Sequence, residues 1–345
     1  MKKFFTLTLV LLFALSLVAC GNSGAAGNTE PDTQTQESAE ATREAETQTN
    51  TEAPETLTIT SLNQNREAVE IEVPYDPQRI AILDMAALDI LDNLGLGNRV
   101  VGSAKTSLEY LKVYNPGDTI ANLGTIKEAD MEAVMACEPD VIFIGGRLSS
   151  SYEALSEIAP VVYLSTDAEL GVVESTKQNA RTIASLFGKE AEIEEKLAGF
   201  DERIATLAAF AEGKNTIVGM CTSGSFNVVG NDGRCSIIGV EIGFENIGVA
   251  DEVQTSTHGN EASFEYIVQK KPEYIFVMDR DAAIQTEGAK LAQEIMENEL
   301  VMGTDAYKDG KIIYLAHPAV WYTAEGGVTA LDLMLQDLET PLLAQ

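Results

Sequence analysis

Short apolar runs alternate with amphipathic stretches along most of the chain. The runs have the length and the Ile/Val/Leu content of strands that are buried on both faces. They lie at Arg79–Leu83, Thr216–Met220, Phe226–Val229 and Lys311–Leu315. Between them, segments such as Ala86–Leu94 and Gly327–Leu338 repeat apolar residues at helical spacing. This alternation predicts an α/β fold with largely parallel sheets that are covered by helices.

Two helical segments are predicted between the halves of the chain. The first is Gly171–Phe187, and Gly188 is expected to end it. The second covers Lys189–Ala211, and its apolar residues recur three or four positions apart: Ile193, Leu197, Phe200, Ile204 and Leu207. A helix of that length would span about 35 Å. We expect it to be a stiff spine that joins two lobes.

An internal repeat organises the folded region. Residues 127–147 (KEADMEAVMACEPDVIFIGGR) align without gaps to residues 260–280 (NEASFEYIVQKKPEYIFVMDR), with seven identities in 21 positions. In each copy an amphipathic helix ends before a proline, a buried strand follows, and an arginine comes just after that strand: Arg147 in the first copy and Arg280 in the second. One copy in each half predicts two similar lobes.

The repeat places two cations where a ligand is expected. Open α/β sheets bind ligands beyond the carboxyl ends of their strands, so two facing lobes would bring Arg147 and Arg280 into one cleft. The predicted organisation is a leader over 1–20, a tether over 21–56, an N-terminal lobe over 57–170, a helical connector over 171–213 and a C-terminal lobe over 214–345. The expected fold class is α/β: two Rossmann-like lobes are joined by the long spine helix, and the ligand cleft lies between them.

Composition and charge narrow the function. The chain has 54 acidic and 23 basic side chains in 345 residues, a net charge of −31, and 45% hydrophobic residues. Such a balance provides a core and excludes nucleic acid as a partner, because phosphate binding needs a basic surface.

The first 56 residues predict export and a membrane anchor. Lys2 and Lys3 precede the apolar run Phe4–Ala19, which has the length of a signal-peptide core and ends in LVAC at Cys20. This resembles the bacterial signal for cleavage before a lipid-modified cysteine, with palmitate as one of the lipids, so we expect a protein anchored on the extracytoplasmic face of the cell membrane. Residues 21–56 contain no Val, Ile, Leu, Met or aromatic residue, which predicts a flexible tether.

Three further cysteines, Cys137, Cys221 and Cys235, leave at least one free thiol. One alternative is a disulfide between Cys221 and Cys235, although buried single thiols are the commoner case.

Several segments together resemble a known family. The opening RIAILDMAALDILDNLGLGNRVVG, the segment LGTIKEADMEAVMACEPDVIFIGGR, the predicted spine and the closing KIIYLAHPAVWYTAEGG are similar to class III substrate-binding lipoproteins of bacterial ABC importers. These are the ferric-siderophore and cobalamin receptors, and the likeness is greatest to those for catecholate siderophores. Two departures are an extra residue before Pro318, either Ala316 or His317, and Val320 where relatives often have an aromatic residue.

The resemblance implies roles for individual residues. It makes Arg147, Arg234 (GNDGRCSIIG) and Arg280 the arginines that face the ligand, and His258 (STHGNEASFE) and Tyr322 (AVWYTAEGG) the pair that contacts its iron. It also implies that Glu132 and Glu265, which are identical in the repeat, dock on the permease. The expected protein is a monomer without an intrinsic cofactor, and ferric iron arrives within the siderophore.

The residue chemistry agrees with an anionic ferric ligand. A ferric tris-catecholate is a trianion, and guanidinium groups are permanently charged, planar and able to stack on catechol rings. If a siderophore supplies only four oxygens, a phenolate and an imidazole suit the two remaining positions on iron.

Alternative functions are a haem receptor and a cobalamin receptor of the same fold. Haem would also use His258 and Tyr322, but three arginines match a trianion better than two propionates. Cobalamin is largely uncharged and would leave the arginines unpaired, which is costly. An enzyme is not indicated, because the chain has no GxSxG, HExxH or P-loop motif.

Each assigned residue also has a purely structural interpretation. The arginines at the strand ends have Asp279 and Asp281 as nearby partners, and GNDGR is also an ordinary turn. His258 is expected to begin the second repeat helix, and capping that helix is its alternative role. His317 is expected to be structural. For Tyr322, which adjoins Trp321, the alternative role is ordinary aromatic packing.

Overall fold

The computed structural model describes residues 54–249, 256 and 258–343. Cys20, the predicted leader and nearly all of the predicted tether therefore lie outside the described residues. None of the helices within these ranges combines the length and apolar character needed to cross a bilayer.

The N-terminal lobe is built on a five-stranded parallel sheet. Its order is β5-β4-β3-β8-β9, and a hairpin of β1 and β2 precedes it while a short ribbon of β6 and β7 leads into the second helix. The strands are β1 (Thr56–Leu62), β2 (Ala68–Pro74), β3 (Ile80–Leu83), β4 (Val100–Ser103), β5 (Ala121–Asn122), β6 (Gly124–Thr125), β7 (Glu128–Ala129), β8 (Val141–Ile144) and β9 (Val161–Tyr163). The helices are α1 (Met85–Asn93), α2 (Met131–Ala136) and α3 (Tyr152–Ser156), with short 3-10 turns between them.

The connector consists of three helices: α4 (Val172–Ser185), α5 (Glu190–Leu197) and α6 (Phe200–Ala211). The first matches the predicted Gly171–Phe187 helix, and Gly188 ends it in a left-handed conformation (φ +61°). The prediction of one continuous helix over Lys189–Ala211 is wrong. Ala198 is extended and Gly199 is left-handed (φ +91°), so the chain bends there while both halves keep their apolar faces on the core.

The C-terminal lobe has a six-stranded mixed sheet. Its order is β13-β11-β10-β14-β15, with β12 also paired to β10; β10, β14 and β15 are parallel, whereas β11 and β13 are antiparallel to their neighbours. The strands are β10 (Asn215–Thr222), β11 (Ser225–Val228), β12 (Glu245–Asn246), β13 (Asn260–Glu261), β14 (Tyr274–Asp279) and β15 (Ile312–Tyr314). The helices are α7 (Phe264–Lys270), α8 (Arg280–Ala283), α9 (Ala292–Met296), α10 (Glu299–Met302), α11 (Asp305–Lys308), α12 (Pro318–Thr323) and α13 (Val328–Leu343).

The sequence repeat corresponds to a structural repeat. Helices α2 and α7 occupy equivalent positions, and each begins after a side chain that caps it, Asp130 in one lobe and Ser263 in the other. Strands β8 and β14 follow, and every residue of β8 is buried, as are the first five of β14. The prediction of two related helix–strand units is confirmed.

The last helix returns to the first lobe. Helix α13 packs against α1 of the N-terminal lobe and against α4 and α6 of the connector. The buried carboxylate of Asp89 on α1 accepts hydrogen bonds from the backbone N–H groups of Thr329 (2.8 Å) and Ala330 (2.9 Å) at the start of α13. The contact satisfies two donors that a helix start leaves free.

Several side chains named in the sequence analysis are structural. Cys137, Cys221 and Cys235 are free thiols, and all three are buried. The His317 Nδ1 atom lies 2.7 Å from Asp337 Oδ1, while Trp321 Nε1 donates to Asp337 Oδ2 over 2.9 Å. His317 thus fastens α12 to α13, as the structural interpretation predicted.

Candidate functional site

Four elements of the fold carry the predicted ligand-binding arginines and tyrosine to one cleft. Arg147 follows β8 in a 3-10 turn, and Arg280 follows β14 as the first residue of α8. Arg234 precedes the 3-10 turn Ser236–Ile238, and Tyr322 lies on α12. The matched arginines therefore meet from opposite lobes, because parallel strands in both sheets end at the cleft.

Tyr322 lies at the centre of the arginines. Its ring is surrounded by three guanidinium groups, whose Cζ atoms are 4.4 Å (Arg234), 5.5 Å (Arg147) and 5.5 Å (Arg280) from the ring centroid. The tyrosine is only 4% exposed. Contacts of this length are cation–π interactions, so the ring holds together three cations that repel one another.

Hydrogen bonds fix the same group. Arg280 Nε donates to the Tyr322 hydroxyl (3.2 Å), and Arg147 Nη2 donates to the Tyr322 backbone carbonyl (3.1 Å). Arg280 also donates to Thr222 Oγ1 (3.1 Å) and forms an ion pair with Asp281 (3.3 Å). The alternative that Arg280 pairs with a neighbouring aspartate is therefore partly confirmed. The ion pair with Asp281 does not occupy Nε, which still donates to the Tyr322 hydroxyl.

His258 lies beside this group and does not cap the repeat helix. Helix α7 begins only at Phe264, capped by Ser263, so the expectation that His258 begins that helix is wrong. The His258 and Tyr322 rings are stacked, with centroids 6.3 Å apart and planes 28° apart. The imidazole is exposed, which leaves it accessible to a bound molecule.

The electrostatics favour the forms of both side chains that bind metal. Burial by itself raises the pKa of Tyr322, but the Arg280 hydrogen bond and the three guanidinium charges outweigh it and leave this pKa below its ordinary value. Burial and the cations, Arg280 first, lower the pKa of His258. A phenolate and a neutral imidazole are the donor states that a ferric ion accepts, and both pKa shifts are in the direction of these states.

Arg234 faces an acidic neighbour on the inner side of the cleft. Burial, followed by repulsion from Arg147, lowers the pKa of Arg234. Burial also raises the pKa of Glu325 to about 7, against the attraction of Arg234. The Glu325 Oε1 atom is inaccessible to solvent and has no hydrogen-bond partner within residues 54–249, 256 and 258–343.

The cleft divides into two cavities at Arg147 and Tyr322. One, of about 390 Å³, lies over the ends of β3, β8 and β9, and its charged lining residues are Arg66, Asp84, Arg147, Arg234 and Glu325. The other, of about 410 Å³, reaches α8 and is lined by Lys105, Lys127 and the apolar side chains of Ile126 and Ile284. The lining thus adds cations beyond the three arginines.

Sequence reasoning missed several of these residues. Asp84 follows the buried run of β3, so the strand-end argument used for Arg147 would have found it; it caps α1 by accepting from Ala87 N–H (2.9 Å). Lys127 opens the first repeat copy, where Asn260 stands in the second. Lys105 and Arg66 carried no comparable signal, because both come from irregular segments.

The two predicted docking glutamates lie outside the cleft. Glu132 and Glu265 are each in the first turn of their short helix and both are exposed. Neither forms an ion pair with any residue in the part of the chain that the structure describes.

Comparison with known proteins shows that the chain is similar to one family of binding proteins. Residues 80–319 match the periplasmic binding protein family. The petrobactin-binding protein YclQ of Bacillus subtilis is 33% identical over 347 residues, which cover 99% of both chains. The ferric-anguibactin-binding protein FatB of Vibrio anguillarum is 29% identical over 271 residues, which cover 76% of this chain and 81% of the relative.

Solved structures show the same architecture. The crystal structure of YclQ superposes with a TM-score of 0.75 at 34% identity and covers 83% of this chain and 99% of that one. The periplasmic catecholate-siderophore binding protein VctP of Vibrio cholerae superposes with a TM-score of 0.74 at 30% identity, covering 82% and 100%. The prediction of a two-lobed α/β binding fold is confirmed.

Proposed function

Because this chain belongs to the periplasmic binding protein family, we propose that it captures a ferric siderophore of the catecholate type and delivers it to the permease of an ABC importer. Among the relatives, YclQ is named for petrobactin, FatB for ferric anguibactin and VctP for catecholate siderophores, which supports a ligand of this class here. The family transports solutes and is not enzymatic, and we propose that this chain likewise catalyses no reaction.

The observation that carries the proposal is the set of three guanidinium groups around one buried phenol. A tris-catecholate complex of Fe³⁺ has a charge of −3 spread over six oxygens. Arg147, Arg234 and Arg280 offer three positive charges at contact range, with planar faces for the catechol rings. Lys105 and Lys127 add positive charge on one side.

The His258–Tyr322 pair supports a second mode of binding. When a siderophore supplies four oxygens, two positions on the iron stay open, and we propose that the phenolate of Tyr322 and the imidazole of His258 take them. Their stacked rings, 6.3 Å apart, are close enough to approach one ion from neighbouring directions. The iron is cargo held by the siderophore, and no intrinsic cofactor is proposed.

The remaining parts of the proposal concern location and partners. The lipobox-like sequence ending at Cys20 supports a lipid anchor on the extracytoplasmic face of the membrane. Glu132 and Glu265, one exposed glutamate in each lobe, are proposed to dock on the permease subunits, and the protein is proposed to act as a monomer.

A ligand titration tests the proposal. Trp321 is the only tryptophan and adjoins Tyr322, so its fluorescence reports on the cleft while ferric catecholate, ferric hydroxamate, haemin or cobalamin is added. We expect the ferric catecholate to quench at the lowest concentration. If haemin did so instead, the ligand class would be wrong.

A double variant tests the arginines. Arg147→Ala with Arg280→Ala removes one cation from each lobe, and catecholate affinity should fall by at least about a hundredfold, because charge-assisted contacts contribute about 1.5–3 kcal/mol each. The circular dichroism spectrum should stay unchanged. Arg181→Ala with Arg203→Ala, which removes two arginines from connector helices, is the control; equal losses in both double variants would remove Arg147 and Arg280 from the site.

A further inference from the structure

Two exposed apolar side chains occupy matched positions of the repeat. Met135 on α2 is 61% exposed and Val268 on α7 is 37% exposed. Each follows the matched glutamate, Glu132 or Glu265, by three residues. Side chains three apart share one face of a helix, so each lobe presents a carboxylate with an apolar group one turn behind it.

These two matched apolar residues differ from the single apolar residues found on most protein surfaces. Single exposed apolar residues are common and need no explanation. Here, however, the buried position between the members of each pair holds Val134 in one lobe and Ile267 in the other, so the two helices are anchored alike and expose the same two-part surface. Ala133 stands against Tyr266 and Ala136 against Gln269, whereas Met131 and Phe264 are both apolar. Among the exposed aligned positions, both lobes keep the acid and the apolar group.

Both helices follow, along the chain, residues that lie at the cleft. Lys127, which lines the second cavity together with Arg147, lies a few residues before α2, and β7 contacts the 3-10 turn that carries Arg147. In the other lobe His258, stacked on Tyr322, lies shortly before α7. Each exposed surface therefore lies on a helix that follows a residue of the cleft, one in each lobe.

We propose that Met135 and Val268 are the apolar halves of two repeat-related docking patches, each formed with its neighbouring glutamate, and that the two patches seat on two related sockets of a permease dimer. This inference rests on the proposed function, since the occupant is the importer. A repeat-related pair of surfaces fits a partner that offers two equivalent surfaces. Charge complementarity requires each socket to carry a basic group for the glutamate beside an apolar depression for the Met or Val side chain.

Uptake by living cells tests the inference in the full chain. The chromosomal copy is replaced by Met135→Ser, Val268→Ser or the double variant, and uptake of ⁵⁵Fe supplied as ferric petrobactin is measured. Losing one buried apolar contact should lower uptake about fivefold, and the double variant should lose at least about twentyfold, because distant sites act additively. Leu291→Ser with Leu300→Ser, two residues that are 59% and 42% exposed outside both patches, is the matched control and should leave uptake within about twofold.

Binding measurements separate this inference from the proposed function. Purified double variant and unaltered chain should bind ferric petrobactin equally. If the unaltered chain bound neither ferric petrobactin nor a ferric catecholate, the proposed function itself would fail. If both proteins bound it and uptake by the double variant matched that of the control, the apolar patches would be excluded while the glutamates stayed candidates.

A further outcome concerns a different occupant. Sedimentation velocity of the full chain would show a dimer that the double variant lacks if these patches joined two copies of this protein. That result would overturn the permease assignment. A single monomer species for both proteins, together with the loss of uptake, supports it.

Discussion

At the scale of single residues, Tyr322 is the side chain on which the charges of the cleft converge. Three guanidinium groups around one ring cannot approach each other closely without an anion or a π face between them. The ring supplies that face while the ligand is away, and the same cations lower the pKa of its hydroxyl. A catecholate that enters the cleft then meets arginines already held near their working positions.

Removing the hydroxyl should discriminate between ligands of different denticity. In Tyr322→Phe the ring and its cation contacts stay, but Arg280 Nε loses its acceptor and the iron would lose the proposed phenolate donor. A siderophore with four donor oxygens should bind about tenfold more weakly and show a shifted charge-transfer band, whereas a six-oxygen siderophore should change by less than about threefold. His258→Ala should alter the same band. Fluorescence titration and the visible absorption spectrum measure both effects, and equal losses for the two ligand types would contradict the role.

Glu325 should make stability depend on pH. Burial raises its pKa to about 7 from an ordinary value near 4.5, so the folded chain holds a proton that the unfolded chain releases. The free energy of unfolding must therefore fall as pH rises from about 4.5 to about 7. Glu325→Gln should gain about 1–3 kcal/mol over the unaltered chain at pH 8 and little at pH 4.5.

Urea unfolding at both pH values measures the Glu325 effect. Glu202→Gln, an exposed change on α6, is the control and should give the same difference at both pH values. A stabilisation by Glu325→Gln that did not grow with pH would show that the carboxyl is already ionised at low pH.

The residue scale also shows where sequence reasoning was sufficient. Arg147 and Arg280 were predicted to meet because their positions follow from strand ends, and strand ends follow from buried apolar runs. Tyr322 could not be separated from Trp321 in the same way. Only the path of α12 shows that the indole turns to Asp337 in the core while the phenol turns to the arginines.

At the scale of elements, α13 connects the two lobes, each of which contains one copy of the repeat. The sheets belong to separate lobes, but α13 leaves the second lobe and packs on α1 of the first. Its first turn is capped across that boundary by Asp89, whose carboxylate also accepts from the Tyr110 hydroxyl (2.7 Å).

Removal of this cap should destabilise the fold without touching the ligand. Asp89→Ala leaves two helix N–H groups and the partly buried Tyr110 hydroxyl unpaired, so the free energy of unfolding should fall by about 2–4 kcal/mol. Ferric catecholate affinity should stay within about twofold, because Asp89 does not line either cavity. Urea unfolding measures the loss, with Gln336→Ala on the exposed side of α13 as the control, expected to stay within about 0.5 kcal/mol. A stability equal to that of the unaltered chain would mean that solvent replaces the cap.

Elements were predictable where apolar periodicity and local conformation agreed. The strands β3, β8, β10, β11, β14 and β15 and the helices α1, α4 and α13 follow from the pattern, within a few residues at their ends. The long second connector helix failed because periodicity continues through Gly199, whereas the backbone there is left-handed, and periodicity does not report backbone handedness. His258 failed for a related reason: the true start of α7 is marked by Ser263, five residues later.

At the scale of the whole molecule, net charge and local charge act over different ranges. The chain carries −31, yet its cleft gathers Arg147, Arg234 and Arg280 with two lysines nearby. Surface carboxylates are screened beyond about 8 Å in physiological salt, while the cleft arginines act at contact. The surface therefore affects the approach of an anionic ligand and the cleft affects its retention.

This separation predicts an unusual dependence on salt. At about 0.01 M salt the screening length is about 30 Å, so the acidic surface repels a trianion before it reaches the cleft. The association rate of a ferric tris-catecholate should therefore rise several-fold between about 10 and 150 mM NaCl. Stopped-flow quenching of Trp321 measures it, with a neutral ferric trihydroxamate as the control ligand. A rate that fell with salt would show that the cleft cations dominate even at long range.

The return of α13 to the first lobe also bears on how such a receptor can be inherited and assembled. Although the two halves contain a repeat, the first lobe is completed by residues that follow the second lobe along the chain. Recombination that swapped one half for that of a relative would have to carry a matching α1 and α13 together. A chain cut short before Val328 should therefore destabilise the first lobe as well as the second.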